Sequence, residues 1–232
     1  MKRVLLKLSG EALSNGSGEI YDMSFVDSVA REIKEASDFG VEIGVVVGAG
    51  NIWRGRQGFD MDRVDADRMG MLATLINSIC LKDALKRAGA DAVVMSSVPM
   101  SPLAEDYSSD VAKKYLEEGK VVIFGCGLGI PFFSTDTAGA VKAAEISADA
   151  MLMAKNVDYI YTDDPKKNPN AKKLETVTAS EVLALNLKAI DATATAFCKS
   201  NGLPIRVFGL KNPADIKKAL KGESVGTVVL AE

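Results

Sequence analysis

Four loops hold the residue types in this sequence that are best suited to chemistry, and each follows a short apolar run. Their sequences are KLSG at 7–10, GAGNIWRG at 48–55, GCGLGIPFFSTDTAG at 125–139 and KNVDYIYTDDP at 155–165. Glycine backbone lets an anion approach closely, and a lysine or arginine beside it supplies the opposite charge. The third loop ends in Ser134, Thr135 and Asp136 where a helix should begin, and helix N-termini attract anions. Together the loops indicate a ligand with several phosphates, or two phosphorylated ligands.

Each of these features also has a purely structural interpretation. Glycine after a strand usually only makes a turn. Lys7 taken alone is typical of a surface lysine, Arg54 of a surface ion pair, and Trp53 of core or interface packing. Cys126 lies between glycines, but the chain has no histidine to activate it, so packing is its simpler role. The coincidence of several such loops is what favours a binding site.

Two common nucleotide-binding motifs are not present. The only Gly-Lys pair, at 119–120, is followed by Val121 and has no glycine five residues earlier, so it is not a P-loop. After Gly48 and Gly50, Trp53 stands where a dinucleotide fingerprint needs its third glycine. The next predicted strand also ends without an acid, which argues against a Rossmann dehydrogenase.

Alternating strands and helices must position the loops. Apolar runs predict strands at 3–8, 41–47, 92–95, 121–124, 150–153, 204–208 and 225–230. Helical spacing predicts helices at 23–37, 66–88, 110–118, 137–146 and 190–201. A capping box at 178–181 predicts the start of another helix, and the Asn-Pro pair at 212–213 predicts the start of the last one. This order predicts an α/β fold, a three-layer sandwich with a central mostly parallel β-sheet covered by helices on both faces. Ligands bind beyond the carboxyl ends of such strands, so we expect the loops to share one edge of a single domain spanning 1–232.

Overall composition argues against several classes of protein. The 232 residues are 47% hydrophobic and 25% charged with a net charge of -3, which disfavours a nucleic-acid groove. No run approaches the roughly 18 apolar residues of a membrane span, and the start MKRVLLKLSG does not have the features of a signal peptide. Three scattered cysteines, Cys80, Cys126 and Cys198, are typical of reduced thiols. We therefore expect a cytoplasmic protein without nucleic-acid or membrane partners.

The chain contains no histidine. This excludes Ser-His-Asp and Cys-His arrangements as well as histidine-bound zinc. Carboxylates, lysines, arginines and backbone amides must carry any chemistry. A metal ion, if one takes part, should be a hard, oxygen-bound ion such as magnesium.

Six segments then carry a resemblance to a known family. They are LLKLSGEAL, GVVVGAGNIWRG, DADRMGMLAT, GIPFFSTDTAG, YTDDP and LPIRVF, in that order. The chain resembles the bacterial uridylate kinases, a branch of the amino acid kinase family, over nearly its whole length. The resemblance implies transfer of the γ-phosphoryl group of ATP to UMP, giving UDP and ADP in pyrimidine nucleotide biosynthesis. It also implies magnesium as cofactor, an amino acid kinase-like sandwich and a homohexamer.

The resemblance also implies roles for individual residues. Lys7, Arg54 and Asp136 match catalytic positions, with Asp136 orienting the lysine. The implied ATP contacts are Lys7, Leu8, Ser9, Gly10, Gly50, Arg54, Lys155, Tyr161 and Asp164. The implied UMP contacts are Ala49, Asp67, Leu128, Gly129, Ile130, Pro131, Phe132, Phe133, Ser134 and Thr135, with Asp67 on the ribose. Magnesium is expected to be held mainly by the nucleotide phosphates, and the N-terminal part of the domain is expected to bind the acceptor and the C-terminal part ATP.

Four positions depart from the family pattern. Ala49 replaces the middle glycine of the second loop, and Leu128 and Ile130 replace a threonine and an asparagine near the acceptor. Lys155 stands where a threonine or asparagine touches ATP in relatives. The loop at 15–18 falls where many relatives bind GTP, but its sequence is only loosely similar, so GTP regulation does not follow.

Two other functions within this fold stay open from the sequence. A carboxylate kinase would form an acylphosphate, but the 67–71 stretch argues against it. A nucleotide-sensing regulator would bind ATP and UMP without turnover, yet Lys7 and Asp136 are both retained. A phosphate acceptor also suits a chain without histidine, because its oxygen is already an anion at pH 7 and needs no general base.

Overall fold

A central sheet of nine strands organises the chain, as seen in a computed structural model that describes residues 1–14, 19–53, 60–165 and 167–232. The order across the sheet is β4-β3-β5-β2-β1-β6-β10-β11-β9. These strands are β1 Arg3–Leu8, β2 Glu42–Val47, β3 Ala92–Ser96, β4 Glu105–Asp106, β5 Val121–Gly125, β6 Ala150–Lys155, β9 Thr176–Thr178, β10 Ile205–Gly209 and β11 Thr227–Leu230. A separate antiparallel pair consists of β7 Ile160–Tyr161 and β8 Lys173–Leu174.

Helices cover both faces of the sheet within the described ranges. The helices are α1 Met23–Asp38, α2 Arg63–Arg87, α3 Ser109–Glu117, α4 Thr135–Glu145, α5 Ala179–Ala184, α6 Ala192–Ser200 and α7 Ala214–Leu220. Apolar residues of α1, α2 and α7 pack on one face together with Leu6 and Leu8. Those of α3, α4, α5 and α6 pack on the other face together with Leu5. Because neighbouring side chains of a strand point to opposite faces, β1 contributes to both cores, and the predicted three-layer sandwich is confirmed.

β1 lies at the centre of the sheet and pairs in parallel with β2 on one side and β6 on the other. Lys7 is opposite Val46 in β2 and Met153 in β6. All pairs in the large sheet are parallel except β10 with β11. The carboxyl ends of β1, β2, β5 and β6 therefore lie at one edge, where the sequence placed the four loops.

The structure differs from the sequence-based boundaries mainly at capped helix starts. Ser134 accepts hydrogen bonds from the amides of Asp136 and Thr137, so α4 begins two residues before the predicted start. Asp62 caps α2 in the same way, which adds its first turn. The predicted capping box at Thr178 is confirmed. Short strands such as β4 and β7 were not predicted, because two residues are too few to show a periodic pattern.

The cysteines are free thiols in the structure. Cys126 and Cys198 are buried, and Cys80 is partly exposed. Burial raises the pKa of the Cys126 thiol, and it raises the pKa of Cys198 to about 12. A thiol that stays protonated is a poor nucleophile, so the packing role of Cys126 is favoured.

In the described part of the chain, none of the helices is both long and apolar enough to cross a bilayer. The longest, α2, carries charged residues along its length, including Arg68, Lys82 and Asp83.

Candidate active site

The loops after β1 and β2 meet in direct backbone contact. A Cβ atom added to Gly10 would lie 2.2 Å from the carbonyl oxygen of Gly48. A Cβ atom added to Gly48 would lie 3.1 Å from the amide nitrogen of Gly10 and 3.4 Å from Oγ1 of Thr135. Glycine is thus required at position 10 because no side chain fits between the two backbones. Three of the four predicted loops converge at this point.

The loop after β6 joins them through a carboxylate shared by two lysines. Oδ1 of Asp136 lies 2.8 Å from Nζ of Lys7, and its Oδ2 lies 2.7 Å from Nζ of Lys155. Lys155 also donates to the carbonyl oxygen of Ala189. The side chains of Lys7 and Asp136 are 9% and 11% exposed, so the pair is shielded from screening by solvent. The three residues, Lys7, Asp136 and Lys155, are called the charge cluster below.

Close packing of α4 on the sheet places Asp136 above Lys7. A Cβ atom on Gly139 would lie 2.6 Å from Cε of Met151 and 3.8 Å from Cβ of Lys7. The helix lies close to β1 and β6 here, and a side chain at residue 139 would have to displace the flexible end of Met151. Asp136 is one turn before Gly139 on the same helix, so the close packing of α4 brings its carboxylate toward the lysines.

The charge cluster keeps Asp136 ionised. Burial would raise the pKa of Asp136, but the ammonium groups of Lys7 and Lys155 outweigh it, and the pKa falls to about 2. Burial, aided by the charge of Lys7, lowers the pKa of Lys155, while Asp136 opposes this change. The cluster holds one negative and two positive charges, and this excess positive charge can attract a phosphate group.

Asp191 is a site residue that the sequence reasoning did not identify. Its carboxylate accepts hydrogen bonds from the hydroxyl of Thr137 at 3.1 Å and from the amide of Ala194 at 2.7 Å. It also accepts one from the hydroxyl of Ser134. It thereby caps α6 and ties α6 to the start of α4. An aspartate just before a helical segment signals a cap, but its bridge to α4 depends on the tertiary fold.

Asp67 links the start of α2 to the loop after β5. Its Oδ2 accepts hydrogen bonds from the amide of Phe132 at 2.8 Å and from Nε of Arg63 at 2.9 Å. The guanidinium of Arg63 also lies over the Phe132 ring, 5.5 Å from its centroid. Phe132 has a positive φ of 72°, a strained value for a residue with a bulky side chain. The contacts of Asp67 and Arg63 therefore hold this segment in its strained form.

A cavity of about 380 Å³ lies between the start of α2 and the loop after β5. Eight of the residues predicted on the acceptor or ATP side line it: Ala49, Gly50, Asp67, Leu128, Ile130, Phe133, Ser134 and Thr135. Trp53, Arg63 and Asp191 also line it. Gly129, Pro131 and Phe132 belong to the same loop but do not form the cavity wall. This space is called the first cavity.

A second cavity, of about 410 Å³, lies beside the segment after β6. Tyr161 and Asp164, both predicted near ATP, line it together with Ala189. The charge cluster connects the two spaces: Asp136 follows Thr135 of the first cavity, and Lys155 donates to Ala189 of the second. The charge cluster thus has one neighbouring residue in each cavity.

The remaining predicted residues occupy different positions. Leu8 is fully buried in β1, so only its backbone can reach a ligand. The amide of Ser9 donates to the carbonyl oxygen of Ala154 and thus ties the first loop to β6. Arg54 lies outside the described residues. Within the ranges that the structure describes, no three His, Cys, Asp or Glu side chains are grouped so that they could hold a metal ion.

Comparison with known proteins shows close likeness in both sequence family and structure. The profile of the amino acid kinase family matches residues 2–209. UMP kinase from Bacillus anthracis is 37% identical with a TM-score of 0.95, covering 100% of this chain and 96% of that chain. UMP kinase from Ureaplasma parvum is 37% identical with a TM-score of 0.92, covering 99% and 98%. Aspartate kinase from Synechocystis, at 20% identity and a TM-score of 0.72, covers 99% of this chain and 40% of that chain and shares the fold.

Proposed function

Since the chain belongs to the amino acid kinase family, we propose that it transfers the γ-phosphoryl group of ATP to UMP, giving UDP and ADP. The observation that carries this proposal is the charge cluster, in which Asp136 follows a residue of the first cavity and Lys155 donates to a residue of the second. Similarity to two UMP kinases over nearly the full length of each chain supports the choice of acceptor. Formation of UDP places the enzyme in pyrimidine nucleotide biosynthesis.

Phosphoryl transfer needs little covalent chemistry from a protein. Its transition state is loose, so catalysis consists mainly of positioning and of neutralising negative charge. Nζ of Lys7 supplies that charge, and Asp136 fixes its direction through the 2.8 Å contact. Lys155 supplies a second positive charge from the opposite side of Asp136. The attacking oxygen of the acceptor phosphate is already an anion, so no general base is required.

Magnesium fits this site as an ion carried by the nucleotide. Both carboxylate oxygens of Asp136 are occupied by lysines, and the described residues offer no acidic cluster for an ion. Bound to the phosphates of ATP, magnesium would neutralise charge on the group being transferred. The protein residues would then orient the phosphates around it.

We assign the first cavity to UMP and the second, with the neighbouring loop after β1, to ATP. The first cavity contains Asp67, a hydrogen-bond acceptor suited to a ribose hydroxyl, and the hydroxyls of Ser134 and Thr135, suited to a phosphate. The second contains Tyr161, whose ring suits a nucleotide base. In this assignment the N-terminal part of the domain binds the acceptor and the C-terminal part binds ATP, and Arg54 remains a predicted catalytic residue.

An acceptor panel tests the reaction directly. We expect rapid ADP release when the protein is mixed with ATP, magnesium and UMP, and little release with CMP, AMP, GMP or dTMP. A reaction without acceptor measures any background hydrolysis of ATP. Turnover spread over several acceptors would show that Leu128 and Ile130 permit a broader pocket. Absence of turnover with every acceptor, despite measurable ATP binding, would refute kinase activity toward nucleotides and favour a regulator or a carboxylate acceptor.

We also propose that the chain assembles as a homohexamer. Four apolar side chains on α2 are exposed at spacings of three and four residues, which is the pattern of a helix-packing seam: Met69, Leu72, Ile76 and Ile79. Exposed apolar side chains aligned on one helix support association through this face.

Sedimentation equilibrium tests the assembly. We expect a mass near six times the 24.6 kDa of one chain. Ile76→Lys places a charge in the seam and should shift the protein to smaller species, whereas Lys114→Glu, on the exposed surface of α3, should leave the mass unchanged. A monomeric wild type would overturn the hexamer, and an unchanged mass for Ile76→Lys would exclude this seam from it.

A further inference from the structure

One fully buried amide in α2 is hydrogen-bonded entirely outside its own helix. Nδ2 of Asn77 donates to the carbonyl oxygen of Gly48 at 2.7 Å and to Oδ1 of Asn51 at 2.8 Å. Oδ1 of Asn77 accepts from the hydroxyl of Tyr21 at 2.7 Å and from Nδ2 of Asn51 at 3.1 Å. Both donors and both acceptor positions of the amide are thus in use.

These bonds hold two positions near the start of the loop after β2, Gly48 and Asn51. Between them lie Ala49 and Gly50, which line the first cavity. The carbonyl oxygen of Gly48 is held between Nδ2 of Asn77 and the backbone of Gly10. Asn77 therefore holds the second loop against Gly10 of the first loop, and Gly10 is three residues after Lys7.

Tyr21 keeps the amide in one orientation. Its hydroxyl donates to Oδ1 of Asn77, which leaves Nδ2 directed at Gly48. Burial raises the pKa of Tyr21 to about 12, so the hydroxyl stays protonated and remains a donor at neutral pH. Nδ2 of Asn51 also donates to the carbonyl oxygen of Ile20, which joins the same segment to the turn.

The neighbouring residue, Ser78, is a buried polar residue whose hydrogen bond stays within its own helix. Ser78 is also fully buried, but its hydroxyl donates to the carbonyl oxygen of Thr74 in the same helix. That bond needs no contact with a catalytic loop. The direction of its hydrogen bonds therefore distinguishes Asn77 from an ordinary buried polar residue.

We propose that Asn77 is a positioning residue for phosphoryl transfer, acting through Gly48 and Asn51 to fix the second loop beside Gly10 and Lys7. This inference rests on the proposed kinase function. A small displacement of the loop would move the phosphates bound in the first cavity relative to Lys7. Misplacement of reacting groups by about 1 Å can lower a rate about 100-fold.

Kinetics of Asn77→Ala tests the inference, with Ser78→Ala as the matched control. We expect kcat of Asn77→Ala to fall about 10- to 100-fold while KM for ATP changes less than threefold, and Ser78→Ala to keep kcat within twofold of wild type. A folded Asn77→Ala protein with kcat within twofold of wild type would overturn the inference. An equal loss in both variants would also overturn it, since the effect would then come from general loosening of α2.

The pH dependence of kcat in Asn77→Asp provides a second test, because a merely structural role of Asn77 would not change it. A protonated aspartic acid can donate to the carbonyl oxygen of Gly48 as the amide does, whereas an ionised one cannot. Asn77 is fully buried and its hydrogen-bond partners carry no positive charge, so burial raises the pKa of a carboxyl group placed there. We therefore expect the ratio of kcat between this variant and wild type to rise as the pH is lowered. A ratio that stays flat between pH 5 and pH 9 would contradict the assigned hydrogen bond. If Asn77→Ala does not fold, Tyr21→Phe takes its place, because this change removes only one hydroxyl. We then expect kcat to be about threefold lower than that of wild type. An unchanged kcat would overturn the inference.

The sole tryptophan separates this inference from the proposed function. Trp53 lies in the second loop, two residues after Asn51, and its Nε1 donates to the carbonyl oxygen of Ala66 at 2.8 Å. Its emission should therefore report on the position of the turn. A wild-type protein without turnover on UMP would refute the proposed reaction. The role of Asn77 in positioning the loop would then be tested by the fluorescence emission of Trp53. A spectrum shifted in Asn77→Ala but not in Ser78→Ala would support positioning of the loop, and identical spectra would overturn it.

Discussion

Replacement of Lys7 with methionine is expected to lower kcat about 100- to 1,000-fold. Nζ of Lys7 lies 2.8 Å from Asp136 and is fixed at the end of β1, so its charge is in place before the reaction begins. Removing one preorganised donor to a developing negative charge typically costs this much in rate. Methionine keeps the length and the apolar packing of the lysine side chain. Steady-state measurement of ADP release gives the value.

The fold should tolerate this change, because Asp136 keeps its contact with Lys155. A matched control is Lys142→Met, another buried lysine, which pairs with Glu145 at 3.1 Å on α4. This control should retain activity within threefold of wild type. If Lys7→Met also retained kcat/KM within threefold, Lys7 would not be the catalytic lysine.

Asp136→Asn is expected to impair both stability and catalysis. Its two ammonium partners would be left buried without a carboxylate, and removing one partner of a buried ion pair costs about 3–5 kcal/mol. We therefore expect a free energy of unfolding lower by that order in urea denaturation at pH 7. We also expect kcat to fall by about 100-fold or more, since Lys7 would no longer be held in one direction.

The pH dependence of stability gives an independent measure of the same carboxylate. The pKa of Asp136 is about 2 in the folded chain against an ordinary value of 3.8, so its contribution is complete above the ordinary pKa and is lost as pH falls toward 2. That contribution amounts to about 2 kcal/mol. The difference in stability between wild type and Asp136→Asn should therefore narrow between pH 5 and pH 2. A constant difference over this range would mean that the carboxylate is not stabilised by the lysines.

Much of the fold could be predicted from the sequence because its signals are local. Runs of valine and leucine marked the buried parallel strands, and the order of strands and helices indicated the sandwich. Helix starts were less exact where the cap is a serine within a loop, as at Ser134. The reversed direction of β11 had no signal in its apolar pattern, because an apolar run is the same in both directions.

The site could be predicted only in part. Glycine-rich loops at strand ends predicted a site at the carboxyl edge of the sheet, and the structure brings these loops together there. The contact of Asp136 with two lysines depends on the packing of α4 against β1 and β6, which the sequence does not specify. Asp191 and Asn77 are important because they form hydrogen bonds with segments that are distant in the sequence. In the sequence they resemble an ordinary helix cap and an ordinary polar helix residue. Such roles arise from packing, which residue type and spacing do not specify.

The central position of β1 has a consequence for synthesis of the chain on the ribosome. Of the strands in this sheet β1 emerges first, and β2, β3 and β5 follow before residue 126, so this half of the sheet can assemble early. The other edge of β1 pairs with β6, whose residues are 150–155. Until these residues emerge, a nascent chain exposes an apolar strand edge that can recruit other chains. Docking of β6 ends this period of aggregation risk, and it brings Lys155 to Asp136 in the same step.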